Sequence, residues 1–495
     1  MPPIRIHPEN SKIFEFRGQP LVLLTATEHY GAVMNRPFNI ERYLADTAEK
    51  KITLTRLFML FRELQTTINP YSTCKPETQD YVAPFVRAGP GRAVDMEPKY
   101  DLDQPNPEFF ERLRRFLSVA SDYGIIVEVV LLSNAYAENV WSLNPLHPKN
   151  NVNGLPEIPW YDTMSCRHAA LFERQAAHVR KIVAETNKYD NIIYEICNEP
   201  GGSFNAEAPT CAEVDEWLEA LITVVRDTEK DLPNKHLVAG QQAFAYTPWE
   251  QHMHKTFSEM SYDVVNCHPL PNTTYAGKSY ALGQFMSKQL ALRDLRDFGL
   301  ATYAEPKPLN QDEDNIASQY KDYDGWTIHR KRAWVTLLTG GHYDYIDFSI
   351  HPYLETGTPA SQSNIRSWMK YLSQFVHSLD LVNARPLPDL VIHYPGFVLP
   401  VAFGAAGSDY AIYLPDEREL TAARDLADTT LVSPDAGSPI SGIIVVNLPP
   451  GDYTAACYDP QTGLYSPSIL LTGGPSVTIH LPEFRHDLAV RIRRR

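Results

Sequence analysis

The chain alternates between short strand-like runs, most of them apolar, and longer stretches in which apolar residues recur every three or four positions. The first kind occupies residues 21–25, 52–58, 125–132, 191–197, 236–239, 264–267, 307–312 and 343–348. Little polar alternation interrupts these runs, which is the pattern of strands buried on both faces. The second kind predicts helices. Over 107–123 a stripe of Phe109, Phe110, Leu113, Phe116 and Leu117 follows Pro107, and Gly124 supplies a C-terminal stop. Residues 169–186, 213–228, 282–298 and 329–338 read in the same way. Strand and helix repeated eight times predict an α/β fold, a parallel (β/α)8 TIM barrel with its helices outside. The loops at 62–106 and 134–164 are long for such a barrel. An open doubly wound sheet usually opens on a Gly-rich turn. Here the first strand runs instead into Thr25-Ala-Thr-Glu-His-Tyr-Gly31.

Near residue 385 the texture changes. Short alternating runs at 389–394, 410–414, 442–447, 453–458, 476–481 and 488–493 are separated by Pro, Gly and Asp clusters. This predicts an antiparallel β-sandwich. The expected organisation is a barrel over 1–384 followed by a sandwich over 385–495, with no low-complexity linker between them. The segment Leu448-Pro-Pro-Gly-Asp-Tyr-Thr454, followed by Tyr458-Asp-Pro-Gln-Thr-Gly463, reads as two strands joined through a tight turn.

Composition narrows the partners. A hydrophobic fraction of 43% and a charged fraction of 21% are those of a globular chain that can bury a large core. The formal net charge of −15 repels phosphate backbones, so nucleic acid is not an expected partner. The terminal Arg-Ile-Arg-Arg-Arg is too short to change that. No apolar run is long enough to span a bilayer, and the N-terminus lacks the apolar core of a secretory signal. The expectation is a cytoplasmic protein that does not act on membranes. Six scattered cysteines, with no Cys-x-x-Cys pair, read as thiols of a reducing compartment. With no His-x-His or other metal-ligand spacing, neither a metal nor an organic cofactor is expected.

In a parallel barrel the active site forms where strands end, so carboxylates at strand ends draw attention. The fourth run leads into Asn198-Glu199-Pro200, and Pro200 cannot continue a ladder, so the strand ends where Glu199 stands. Three βα units later, Lys307-Pro-Leu-Asn-Gln-Asp-Glu313 puts a second glutamate at the end of the seventh run. Two carboxyl groups facing across a barrel mouth are what glycosidic bond cleavage needs, one to protonate the leaving oxygen and one to meet the anomeric carbon. Glu305 is the competing choice for the second role, but it precedes the run and should lie at the wrong end. Glu313 is flanked by Asp312 and Asp314, so it could instead belong to a solvated acidic turn.

These motifs resemble those of the clan of retaining glycoside hydrolases that carries acid/base and nucleophile glutamates on barrel strands four and seven. The chain is most similar to the cellulase-like members of family 5. The likeness rests on Ile193-Tyr-Glu-Ile-Cys-Asn-Glu-Pro200 and on the Lys-Pro-to-Glu spacing before Glu313, and it covers roughly residues 20–380. It implies a carbohydrate substrate, Glu199 as acid/base, Glu313 as nucleophile and Asn198 as a partner of the sugar 2-hydroxyl. It also implies that Arg56 orients the nucleophile and that His268 and His29 line the sugar site. Independently, an arginine inside an apolar strand must be paired. The clan's tryptophan at the end of strand eight is missing, since that run reads Tyr343-Asp-Tyr-Ile-Asp-Phe348. Phe348, or Trp326 from the loop after strand seven, could supply the stacking face, with Trp141 and Trp160 as outer walls. The long loops hint at a pocket and exo action. A non-catalytic carbohydrate-binding barrel is the alternative, and it would need one carboxylate misplaced. Oligomeric state is left open.

Overall fold

The computed structural model describes residues 1–63, 72–202, 207–245, 250–283, 290–314, 323–418 and 435–495. Eight parallel strands form the central sheet: β1 (Leu24–Thr27), β2 (Leu54–Phe58), β3 (Ile126–Ser133), β4 (Ile192–Asn198), β5 (Leu237–Gly240), β6 (Val264–Cys267), β7 (Leu309–Asp314) and β8 (His342–Ile346). Each neighbour pairs in parallel from β2 round to β8, and β8 pairs with β1. The seam between β1 and β2 is closed by Thr53 N–H donating to Leu24 O (3.0 Å) and Phe58 N–H donating to Tyr30 O (2.9 Å). The predicted TIM barrel is therefore present. All eight apolar runs became strands, with boundaries shifted by up to three residues. In β7 the cause is local: Pro308 has no N–H to give the ladder, so pairing starts at Leu309, while its carbonyl still accepts from Val265 N–H (3.0 Å).

Each strand leads to a helix: α1 (Ile40–Glu49), α2 (Pro107–Tyr123), α3 (Ala169–Thr186), α4 (Cys211–Glu229), α5 (His254–Ser258), α6 (Leu292–Thr302), α7 (Tyr323–Leu338) and α8 (Ile365–Val376). In α2 Asn106 caps the first turn, and Gly124 ends the helix in the left-handed conformation (φ 74°). The predicted helix over 282–298 begins ten residues late, at Leu292; residues 284–289 lie outside the described set. The long loops carry structure of their own. Residues 62–106 include a hairpin of Phe85–Arg92 with Pro98–Pro105. An N-terminal three-stranded sheet plugs the lower mouth, where Phe14 and Phe16 pack on Leu54, Ile126, Ile193 and Val264.

From Arg385 the chain forms an antiparallel sandwich. Its strands are β9 (Arg385–Pro386), β10 (Val391–His393), β11 (Val401–Ala405), β12 (Asp409–Pro415), β13 (Ile440–Asp459), β14 (Leu464–Tyr465), β15 (Ile469–Phe484) and β16 (Asp487–Arg494). Of the two segments expected to be strands joined through a tight turn, 448–454 lies within the single long strand β13, as a bulged bend at Pro449-Pro450-Gly451. That bend lets β13 pair with β15 along much of its length and with β16 at its far end. The hairpin turn comes later, at 459–463, where Gly463 takes φ 70°.

Barrel and sandwich share a core, and α7 is the junction. Every residue of α7 from Gly325 to Leu338 is buried, because β8 and the flanking helices α6 and α8 cover it on the barrel side and β11 and β12 on the other. Trp334 stacks on Tyr413 (4.9 Å, 15°), and Arg330 makes paired 2.8 Å bonds to Asp487, both side chains fully buried. Tyr413 adds a 2.7 Å hydroxyl bond to the same carboxylate. Asp487→Ala would leave that guanidinium buried and unpaired, so we expect it to destabilise the fold by roughly 3–5 kcal/mol. Denaturant unfolding measures this, and a loss below about 1 kcal/mol would show that the junction carries little.

Candidate active site

Strand β4 is buried along its whole length and delivers Asn198 and then Glu199 to the upper rim. Glu199 takes a left-handed backbone (φ 47°), and its carbonyl accepts from Asn134 Nδ2 (3.0 Å). Across the mouth, the β7–β8 register slips between Gln311 and Asp314, which turns Glu313 into the same region (φ 52°). Tyr30 and Tyr136 beside them are also left-handed, at 59° and 58°. Each such non-glycine residue costs of the order of 1–3 kcal/mol, and a cluster of them marks a site held in place by its surroundings. An oxygen of Glu199 and an oxygen of Glu313 come within 4.8 Å of one another.

Arg56 of β2 is the hub beneath the pair. Fully buried, it donates through Nη1 to Glu313 (2.7 Å), through Nε and Nη2 to Glu195 (2.8 and 2.7 Å), and through Nη2 to Asn198 Oδ1 (2.8 Å). Asp312 lies 3.2 Å from the same nitrogen. The guanidinium's fixed planar fork is what allows one side chain to orient four others. Asn198 is thereby locked: its Oδ1 is taken by Arg56, and its Nδ2 donates to the Tyr136 hydroxyl (2.7 Å).

His268, which follows β6, completes the arrangement. Its Nδ1 lies 3.1 Å from Glu199 Oε1 and its Nε2 lies 3.2 Å from Asp312 Oδ2. Burial opposes charge on the imidazole, but the bonds to Asp312 and Glu199 and the charge of Glu313 raise its pKa. Burial raises the Glu199 carboxyl, but the hydrogen bond and charge of His268, with the Tyr136 hydroxyl and the charge of Arg56, together outweigh it and hold the group below its usual range. Glu313 is pushed up to about 7 by burial and by the charges of Glu199 and Asp312, against the pull of His268 and Arg56. With His268 charged, those directions put the acid on the wrong glutamate for double displacement. The form double displacement needs has the Nδ1 proton on Glu199, across the 3.1 Å contact; it removes both the Glu199 charge that raises Glu313 and the His268 charge that lowers it, and leaves Arg56 as the cation beside Glu313.

Among the described residues, Glu199, His268 and Glu313 converge closely enough to hold a cation. The Arg56 guanidinium at 2.7 Å from Glu313 already supplies the positive charge a metal would bring. The spacing suits a sugar carbon poised between two carboxyl groups better.

The sequence agrees with that geometry. A model of the family described as Cellulase (glycosyl hydrolase family 5) matches residues 33–376. The chain belongs to glycoside hydrolase family 5. No curated protein matches it by sequence. Among solved structures, a glycoside hydrolase family 5 protein from Bacteroides vulgatus is similar with a TM-score of 0.62 at 11% identity, over 99% of this chain and 94% of that one. Another, described as a glycoside hydrolase, has a TM-score of 0.59 at 11% identity, over 100% of this chain and 97% of that one. At such identities the likeness concerns the fold, and its coverage takes in the sandwich as well as the barrel.

Within this family 5 barrel, other sequence-derived candidates fall into different places. His29 stands on the same rim. Its Nδ1 is 2.6 Å from Ser72 Oγ, its ring meets Phe348 edge-on at 5.1 Å, and burial followed by the charges of Lys75 and Arg56 lowers it to about 3, so it is neutral. Trp326 is a correction. It lies not on a loop but on α7, 1% exposed, in the apolar cluster that includes Leu292 and Trp334, because α7 starts before it. It offers no open face for stacking. Phe348 is nearly as buried, and Trp141 is a core residue whose Nε1 donates to Ile158 O (2.8 Å). Tyr353, on the loop after β8 and 79% exposed, was not anticipated. Glu305 sits at the lower end, where Tyr275 hydrogen-bonds to it. Glu195 was also missed, although a carboxylate inside an apolar strand carries the same signal that singled out Arg56. Asp312 and Asp314 are fully buried rather than solvated: Asp312 serves Arg56 and His268, and Asp314 accepts from Arg332 Nε (2.6 Å).

Proposed function

We propose that this family 5 glycoside hydrolase cleaves β-linked glycosides with retention, through a glycosyl-enzyme intermediate. The observation that carries the reading is the approach of the Glu199 and Glu313 oxygens to within 4.8 Å. Retaining enzymes hold their carboxyl groups about 5–5.5 Å apart, whereas inverting ones leave about 6.5–9.5 Å for a water. A decayed, non-catalytic barrel would not be expected to keep both carboxylates in register. In this reading Glu313, in its ionised form and oriented by Arg56, attacks the anomeric carbon. Glu199 gives its proton to the departing oxygen, then takes one from the water that cleaves the glycosyl-enzyme.

The test is a screen of aryl β-glycosides of glucose, galactose, xylose, mannose and arabinose, with proton NMR of the first product formed. The β-anomer is expected to appear first; initial release of the α-anomer would sink the retaining mechanism. Tyr353 supplies a further expectation. An exposed ring on a loop that follows a barrel strand can stack on a sugar, and such contacts contribute about 0.5–1.5 kcal/mol. Tyr353→Ala should therefore raise KM roughly 3- to 10-fold with kcat little changed. An unaltered KM for the best substrate of the screen would remove Tyr353 from the binding site.

A further inference from the structure

The acidic run around the nucleophile contains a residue that double displacement does not call for. Asp312 precedes Glu313 on β7, is fully buried, and is aimed at His268 at the end of the neighbouring strand β6, 3.2 Å away. His268 in turn touches Glu199 through its other nitrogen, at 3.1 Å. Three groups from three strands thus stand in line: Asp312 of β7, His268 after β6, Glu199 after β4.

We propose that Asp312 is a positioning residue that fixes the tautomer of His268, so that Glu199 and His268 share the one proton used on the leaving group. The chemistry follows from the two contacts. A buried carboxylate facing Nε2 requires that nitrogen to carry its hydrogen and donate. In the neutral ring Nδ1 is then left as an acceptor, aimed at Glu199 Oε1. The shared proton can rest on either side of that contact, as Glu199–H with a neutral ring or as carboxylate with imidazolium. When the glycosidic C–O bond breaks, the proton leaves Glu199 for the departing oxygen and the pair is left one proton short. The attacking water restores it as its oxygen bonds to the anomeric carbon and Glu313 departs as carboxylate. No proton is gained or lost over the cycle.

This rests on the assignment of Glu199 as acid/base. The charged and titratable groups facing His268 are consistent with it. Glu199 and Glu195 approach from β4, and Asp312 and Glu313 from β7. Arg56 of β2 neutralises part of that charge from below. Asp344 of β8 and Glu128 of β3 face Asp312 and are themselves pushed well above the usual carboxylate range by burial and then by its charge, so the added negative charge at Asp312 is not duplicated around it.

The experiment compares kcat/KM against pH for p-nitrophenyl and 2,4-dinitrophenyl β-glycosides of the sugar that wild type turns over. A negative charge at Asp312 favours the protonated pair, so removing it lets the proton go at lower pH. Asp312→Asn should move the alkaline limb for the p-nitrophenyl substrate down by at least about one pH unit. The dinitrophenyl substrate, whose leaving group needs no proton, should keep its rate within about threefold. An unmoved limb, or an equal fall for both substrates, overturns the proposal. If Asp312→Asn does not fold, as judged by circular dichroism, His268→Gln carries the same two expectations. Glu199→Gln separates this idea from the assignment beneath it. Full activity in that variant removes Glu199 as the acid, whereas an inactive Glu199→Gln beside an unmoved Asp312→Asn limb removes Asp312 alone.

Discussion

Glu313→Ala is expected to lower kcat by at least about 10^4-fold while leaving the folded protein intact, because it removes the group proposed to bond the anomeric carbon. The substitution also opens a small space beside Arg56 Nη1, which in the native site lies 2.7 Å from the lost carboxylate. A guanidinium deprived of its anion attracts another, so added azide should enter and attack the sugar from the face Glu313 occupied. The C–O bond then breaks as the C–N bond forms, and the glycosyl azide released has the inverted, α configuration. Glu199→Ala should behave differently. With a dinitrophenyl leaving group the first step proceeds without an acid, the glycosyl-enzyme accumulates on Glu313, and azide releases a β-glycosyl azide. The two products are distinguished by NMR. If Glu313→Ala gave the β-azide and Glu199→Ala the α-azide, the two roles would have to be exchanged. Near-normal activity in Glu313→Ala would remove it from the chemistry altogether.

That the two glutamates could be read from sequence follows from the physics of parallel strands. Both faces of β2 to β6 are covered, so their runs are apolar, and any ionisable residue inside one must have a partner. Arg56 is legible for this reason, and Glu195 equally so; Glu199 is legible because Pro200 ends the apolar run of β4 just beyond it. Strand β7 was harder, because Asn310, Gln311, Asp312, Glu313 and Asp314 make it almost wholly polar, yet all are buried. Their partners come from distant parts of the chain: Arg56 for Asp312 and Glu313, Arg332 for Asp314, Cys267 O for Gln311. No local pattern encodes such pairings, so an acidic turn in water read just as well. Helix α7 shows the same limit from the opposite side. Only 329–338 reads as helix in the sequence, yet the helix starts at Tyr323; the sandwich covers its outer face, and a helix buried all round has a weak 3.6-residue signature. Trp326 was assigned to a loop for that reason. In β13 the Pro449-Pro450-Gly451 signal was real, but the chain resolved it as a bulge, since both halves of the strand find partners across the bend.

Arg56→Lys tests whether the site depends on the shape of its central cation or only on its charge. Lysine would keep one positive charge in the barrel, but an ammonium cannot make two parallel bonds to Glu195 while also reaching Glu313 and Asn198. Three carboxylates, Glu195, Asp312 and Glu313, would then compete for one point charge. Losing a partner from a buried charge network costs about 3–5 kcal/mol, and here the group left short is the nucleophile. We expect kcat/KM to fall roughly 10^3-fold, since each 1.4 kcal/mol is a factor of ten. The pH profile gives the sharper test. Glu313 already sits at about 7 with Arg56 in place, and that guanidinium is one of the charges pulling it down. Weakening that pull raises the carboxyl further, so protonation would remove the nucleophile at higher pH, and the acidic limb should move upward by about one unit or more. The direction is opposite to that expected for Asp312→Asn, which acts on the alkaline limb. A purely structural defect would lower the rate across the profile and leave both limbs where they were.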